Sequence, residues 1–303
     1  MKRENLEIDA NLLQGILNSP FIFVIPAALL GNMIESIKVN NNMFKDYYSI
    51  YEDDILETAE KPKKYDCING YRIQKMSYRD EVFEFIKRLV QEFPDVDCTN
   101  LYNNINELRI KNESFLTTIN HLGGYYDPTS NRLVYNNKFP EAYRRTIMYH
   151  ELLHMASSYK SDKKIYSGFS QIDNKIMVGM GINEGYTQLL TERINPIITL
   201  AIPYEFENKI VRKIEQIVGQ DKMQDLYFKA DLPGLIDEMT KYSTRSEVIK
   251  FINEVDFVHT YRPIKIKKEE NYMLREAMND INNFLSSSLE RSNKNLTKIK
   301  KTR

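Results

Sequence analysis

Tyr149-His150-Glu151-Leu152-Leu153-His154 decides how the rest of the chain reads. The stretch lies in a predicted helix over about residues 140–158, entered at Pro140, a residue type that suits a first helical position. Residues four apart on a helix sit about 40° apart around the axis and one turn apart along it. His150 and His154 therefore present two imidazoles to one metal ion. Glu151 lies at the edge of the same face, close enough to act on a metal-bound water without being forced to ligate. Met148, Leu152 and Ala156 fall on the opposite side and are candidate core residues. The bland alternative is two histidines and a glutamate on a partly exposed helix face, so a third ligand has to decide.

A zinc ion bound by two histidines needs a third protein ligand and one open position. Gly181-Ile182-Asn183-Glu184-Gly185-Tyr186-Thr187 supplies one. A second helix is predicted to begin near Asn183, a good N-cap type, and to run to about Ile194. That places Glu184 in its first turn, where the helix dipole favours an acid in any case. Taken with the upstream motif, Glu184 reads as the third ligand, for one Zn²⁺ per chain.

Outward from this pair of helices, Gly123-Gly124-Tyr125-Tyr126 and Arg132 to Tyr135 flank Asp127-Pro128-Thr129-Ser130-Asn131, which predicts a β-hairpin. Phe115 to Ile119 is a further strand candidate. Ile165 to Ser170 and Lys175 to Val178 could pair around Asp173-Asn174. A helix fits Tyr78 to Glu92 on the spacing of Val82, Phe85, Ile86, Leu89 and Val90. Beyond Glu205 the chain reads as helical, in segments near 206–218, 221–229, 233–242, 245–254 and 269–289. The fold class is α+β, divided as a mainly helical N-terminal region (1–75), a catalytic core (76–200), a helical C-terminal subdomain (201–287) and a basic flexible tail (288–303), with a phosphate-binding arm the alternative for the tail.

The pairing of an H-E-x-x-H helix with Asn183-Glu184 opening the next helix resembles the gluzincins, the clan of thermolysin and aminopeptidase N, over roughly residues 123–192. The resemblance implies a zincin-like core with the two ligand helices beneath a small mixed sheet. A metzincin would need glycine and histidine where Ser157 and Lys160 stand. The resemblance also implies that an edge strand pairs with extended substrate, a role the Gly123–Tyr135 hairpin is placed for. One turn after the third ligand the clan often carries a carboxylate that buttresses a ligand histidine; here that position is Gln188, which can accept a hydrogen bond but carries no charge. A downstream tyrosine or histidine commonly stabilises the oxyanion, which makes His259 and Tyr261 catalytic candidates, with Tyr204 after them.

Composition sets the frame. The 303 residues are 42% hydrophobic and 28% charged, with 42 basic and 42 acidic side chains, so no global field draws the chain to nucleic acid or to an anionic membrane. The frequency of Asn, Lys, Ile and Tyr suits an AT-rich bacterial genome. Cys67 and Cys98 are too few for a disulfide framework and read as two free thiols, with a single bridge as the alternative. Met1-Lys2-Arg3 is followed by Glu4, Glu7 and Asp9, unlike a secretory leader, and the apolar run Phe21 to Met33 is interrupted by Pro26 and is short for a span. A cytoplasmic peptidase acting on peptide or protein substrates is expected, an endopeptidase because no second acidic motif would capture a free amino terminus. No nucleic-acid or membrane partner is expected. The rivals are a metal-free peptidase-like module that binds a partner protein and a regulator using the basic tail.

Overall fold

Arg79–Glu92 forms the first helix, α1, which buries Val82, Phe85, Ile86 and Leu89 at the expected helical spacing. The computed structural model describes residues 79–105, 107–112, 123–136, 138–162, 164–173, 176–195, 204–262 and 268–301. The expectations for region 1–75, for Phe21 to Met33, for Cys67, for a strand at Phe115 to Ile119 and for His121 lie outside these residues. Within them, helices combine with two small sheets, an α+β architecture. Among the described residues no helix is long and apolar enough to cross a membrane.

After a short helix α2 (Thr99–Ile105) comes a three-stranded sheet of β1 (Arg109–Asn112), β2 (Gly124–Asp127) and β3 (Arg132–Tyr135). β3 is central, parallel to β1 and antiparallel to β2. The expected hairpin is β2–β3. Its turn is held by Asp127, which accepts from the Thr129 backbone N–H at 2.9 Å, and by Asn131 in a left-handed conformation at φ 48. β1 is a strand the sequence reading did not find, because Arg-Ile-Lys-Asn carries little apolar signal.

Helix α3 (Glu141–Ala156) holds the deciding motif and packs against β2 and β3 on one side. It is buried on more than one face. Met148, Leu152 and Ala156 are in the core as expected, but Tyr149, Leu153 and Met155 are buried as well. α3 ends at Ala156, because the chain turns at Ser157 into a second sheet, an antiparallel meander of β4 (Ser158–Ser161), β5 (Lys164–Ser167), β6 (Ser170–Asp173) and β7 (Ile176–Val178). The predicted pairing of Ile165 to Ser170 with Lys175 to Val178 is therefore corrected. The tight turn falls at Gly168-Phe169, with Gly168 at φ 54, and splits that segment into two strands.

Helix α4 (Met180–Ile194) starts earlier than expected, and its N-cap is Gly179, not Asn183. Gly179 has φ 81, and an added Cβ would lie 1.9 Å from the Phe169 carbonyl oxygen, so only glycine fits. The helix is capped from elsewhere in the chain: Asp256 accepts from the Gly179 N–H at 2.6 Å and from the Gly181 N–H at 2.8 Å. The remaining helices are α5 (Glu205–Val218), α6 (Gln220–Phe228), α7 (Leu232–Thr240), α8 (Arg245–Tyr261) and α9 (Lys268–Lys301). α8 carries Asp256 and begins on a Thr244/Glu247 capping box. It runs to Tyr261, past the expected end near residue 254, because Val255, Phe257 and Val258 continue its buried face. α9 continues unbroken to Lys301, and Ser288 and Ser292 are buried in it, which corrects the expectation of a flexible tail from residue 288. The polar composition hid this, because serines packed against a neighbour contribute no apolar periodicity.

α4 packs closely on α5 and α8. Gly185 permits the approach to α5, since a Cβ there would meet the Glu207 backbone carbon and oxygen at 2.6 Å. This contact fixes where the start of α5, and so Tyr204 and Glu207, lies relative to Glu184. Cys98 is disulfide-bonded, which corrects the expectation of two free thiols; sequence spacing reports no spatial proximity.

Asp256 is buried and holds the first N–H groups of the helix that carries Glu184. Asp256→Ala leaves those donors without a partner, and we expect a loss of about 1–3 kcal/mol in urea unfolding. An unchanged midpoint and slope would show that water replaces the cap at no cost.

Candidate metal centre

His150 and His154 project from the second half of α3, and Glu184 projects from α4 towards them. All three are buried. His150 Nε2 lies 3.2 Å from Glu184 Oε2, His154 Nε2 lies 3.4 Å from the same oxygen, and the two Nε2 atoms are 3.1 Å apart. Ligand atoms on a tetrahedral cation with bonds of about 2.0–2.1 Å sit roughly 3.3–3.4 Å from one another. The three edges thus have the size such an ion requires, and the donor set of two imidazoles and one carboxylate leaves a fourth position open. The triad could hold a metal ion.

Electrostatics agree with the geometry. Burial alone would push the Glu184 carboxyl up, but the adjacent His154 and His150 imidazoles reverse this and hold it well below the ordinary range, as an anion. Burial pulls the His150 imidazole below its ordinary value, against the pull of Glu184, so it favours the neutral form that ligates a metal. Burial also opposes protonation of His154, yet the charges of Glu184 and Glu151 leave its value raised.

Glu151 is 1% exposed and its Oε1 has no hydrogen-bond partner among the described residues. Burial pushes its carboxyl up to about 8, partly opposed by His154 and by the nearby Tyr126 backbone. A cation at the triad would favour the ionised form. A buried acid with one unpartnered oxygen beside such a triad has the chemistry to transfer a proton.

The Tyr126 contact follows from the sheet register. Asn136 N donates to Gly123 O at 2.9 Å, so the hydrogen-bonded pairs of the hairpin are Gly123–Asn136, Tyr125–Val134 and Asp127–Arg132. Gly124 and Tyr126 alternate with them, and their N–H and C=O groups point away from β3. Among the described residues nothing pairs with that side of β2. The edge thus presents backbone donors and acceptors next to Glu151.

The other candidates separate. Tyr204, ranked behind His259 and Tyr261 from sequence, is the tyrosine that reaches the triad. Its ring stacks on His150 at 5.8 Å between centroids, which brings its phenol into the field of Glu184. Burial, together with the Glu184, Glu151 and Glu207 carboxylates, pushes its phenol well above the ordinary value, so it remains a donor. It is held at φ 60 and ψ 33 as the residue before α5, an uncommon conformation for a bulky side chain and one that collects at functional sites. His259 is one ring further out, 5.7 Å from Tyr204, with Nδ1 against Glu207 Oε1 at 3.2 Å. Glu207 also accepts from Arg262 at 3.2 Å, and its charge raises the His259 value despite burial. Tyr261 packs its ring on Phe257 at 5.0 Å.

Asn183 does not cap its helix. It accepts from the Phe169 N–H at 3.0 Å, and its amide nitrogen lies 3.4 Å from His154 Nδ1. Gln188, one turn beyond Glu184, is buried at the position expected of a buttress, and its amide nitrogen lies 3.4 Å from Glu192 Oε1. Comparison of the chain with protein families, curated proteins and solved structures gives no match. The reading of the centre therefore rests on its own residues.

Gln188 is buried one turn beyond Glu184 and offers no ligand atom to the cluster. Gln188→Ala is expected to lower divalent-cation affinity by about 10- to 100-fold while leaving thermal unfolding of the metal-free protein nearly unchanged. Equal affinity in a chelator competition would reduce Gln188 to packing.

Proposed function

We propose that the chain is a zinc-dependent peptidase of the gluzincin type, with a zincin-like core over the two ligand helices, acting on peptide or protein substrates as an endopeptidase. The observation that carries this reading is the buried His150, His154 and Glu184 set with near-equal ligand separations, beside a buried glutamate whose Oε1 is unpartnered. Zinc is the ion that two imidazoles and a carboxylate with an open fourth position favour. When bound, it would supply Lewis acidity, acidifying a water and polarising a substrate carbonyl.

The chain's own residues do the rest. The outward N–H and C=O groups of Gly124 and Tyr126 pair with an extended peptide and hold the scissile bond over the triad. Glu151 takes the proton of the attacking water and returns it to the leaving amine. The Tyr204 hydroxyl donates to the developing oxyanion, and His259, which Glu207 draws towards its cationic form, lies one ring behind it.

Protein purified without chelator should carry about one zinc per chain by elemental analysis. His154→Ala should abolish binding and Glu184→Ala should weaken it severely. Glu151→Gln preserves shape and all three ligands, so zinc content should persist while turnover of a library-selected peptide falls by about 10²–10⁴. Equal turnover would remove Glu151 as the base. If wild type holds zinc and cleaves no member of a broad peptide library, a peptide-binding module replaces the enzyme.

Tyr204→Phe removes one hydroxyl, and turnover is expected to fall by about 10²–10³ with zinc retained. A larger fall in His259→Ala than in Tyr204→Phe would transfer the oxyanion role to the histidine.

The cytoplasmic setting belongs to the same proposal. The disulfide at Cys98 favours an oxidising compartment instead. Thiol titration of protein isolated without reductant decides between them, two free thiols supporting the cytoplasm.

A further inference from the structure

The face of α3 that carries the two histidines continues towards the start of the helix. Tyr143, Ile147, His150 and His154 stand at i, i+4, i+7 and i+11, inside an arc of about 60° around the axis. Phe139, just before the helix, sets its ring edge-on to Tyr143 at 4.8 Å between centroids. Phe139, Tyr143 and Ile147 are all half-buried. Among the described residues none of the three belongs to the hydrophobic core or to the partly buried side chains packed on it. They form an apolar strip apart from the core and continuous with the triad. The edge of β2 lies beside this strip. A Cβ at Gly123 would meet Ile147 Cδ1 at 2.6 Å, and one at Gly124 would meet Ile147 Cγ2 at 2.7 Å, so the two glycines lie against Ile147 and lay no side chain over it. The outward N–H and C=O of Gly124 are on the side of β2 with which nothing pairs among the described residues. A residue paired opposite Gly124 would point its side chain to the same side of the sheet as the missing Gly124 Cβ. That is the side of Ile147 and, one turn away on the same helix face, Tyr143.

We propose that Phe139, Tyr143 and Ile147 form a subsite for one large apolar side chain, aromatic or branched aliphatic, of an extended peptide paired on the edge of β2. The inference rests on the peptidase reading above for its cleaved bond, and names the class of peptide that reading leaves open. Strand pairing supplies affinity without regard to sequence, and a recess for an alternate side chain supplies the preference. The strip sets where the preference falls. Ile147 is about 4.5 Å along the helix axis from His150 and Tyr143 is about 10 Å from it. Extended chain covers about 3.3 Å per residue, so the selected side chain lies within about three residues of the cleaved bond.

The test is a panel built on a library-selected peptide, with Phe, Leu, Ala or Glu placed in turn at each of the three positions on either side of the bond. The ratio of kcat/KM values is read on the full chain loaded with zinc. Wild type should favour Phe or Leu over Ala by about 10- to 100-fold at one position, and Tyr143→Ala should collapse that ratio with zinc content retained. A structural defect would lower all peptides alike and leave the ratio standing. Tyr143→Arg should turn the preference at the same position towards Glu. Should Tyr143→Ala fail to fold, Phe139→Ala, which lies outside the helix, gives the same reading. The panel is also titrated by fluorescence anisotropy onto zinc-loaded Glu151→Gln, with and without Tyr143→Ala, so that the preference is read from binding as well. A chain that cleaves no peptide, yet binds the Phe and Leu peptides more tightly and loses that margin in the double variant, keeps the subsite and loses the peptidase reading. A ratio that survives the Tyr143 variants, or binding with no preference for an apolar residue at any position, overturns the subsite.

Discussion

Three polar side chains, buried to within a few per cent of complete exclusion from water, converge until their nitrogen and oxygen atoms are 3.1–3.4 Å apart. Burying an imidazole pair and a carboxylate costs several kcal/mol unless each finds a partner. Here each one's partner is the other two, or an ion among them. The rest of the domain can be read as the scaffold that makes this convergence tolerable. α3 and α4 are both buried on several faces, so neither ligand helix can slide relative to the other without breaking core packing.

Holding α4 in place takes contacts from distant parts of the chain. Asp256 from α8 closes its N-terminus, and Gly185 lets α5 come close enough that Glu207 lies beside the helix backbone. These two constraints fix the start of α5, and with it the left-handed Tyr204. The stack His150–Tyr204–His259, at 5.8 and 5.7 Å between neighbouring rings, follows from that placement. The edge of β2 is set independently by the hairpin register, which turns Tyr126 N–H towards Glu151. The site is thus assembled from one hairpin and four helices, α3, α4, α5 and α8.

The charge arrangement around the ligands is uneven. His154 Nδ1 faces the Asn183 amide nitrogen, whereas His150 carries the Tyr204 ring stacked on it. The two imidazoles are therefore shifted in opposite directions, His150 below and His154 above the ordinary value, although the motif presents them as equivalent. Partners of this kind set how tightly a ligand is held and how it is oriented.

The buried triad was legible in the sequence because helix geometry alone relates residues four apart, and because an acid on the next helix completes the set. The hairpin was legible from its turn residues, and most of the C-terminal helices were legible from apolar spacing. The start of α4 was not, since the groups that cap it belong to Asp256, far along the chain, and no local pattern reports a cap supplied from elsewhere. Nor was the burial of Ser288 and Ser292 in α9, because serine carries no apolar signal and only a packed neighbour reveals it. The choice among Tyr204, His259 and Tyr261 was likewise open in the sequence. Three-dimensional packing separates them in space, by placing the Tyr204 ring on His150 and the Tyr261 ring on Phe257. Local periodicity determines which residues share a helix face; which faces meet, and which side chain from a third element fills the space between them, is settled only by the fold.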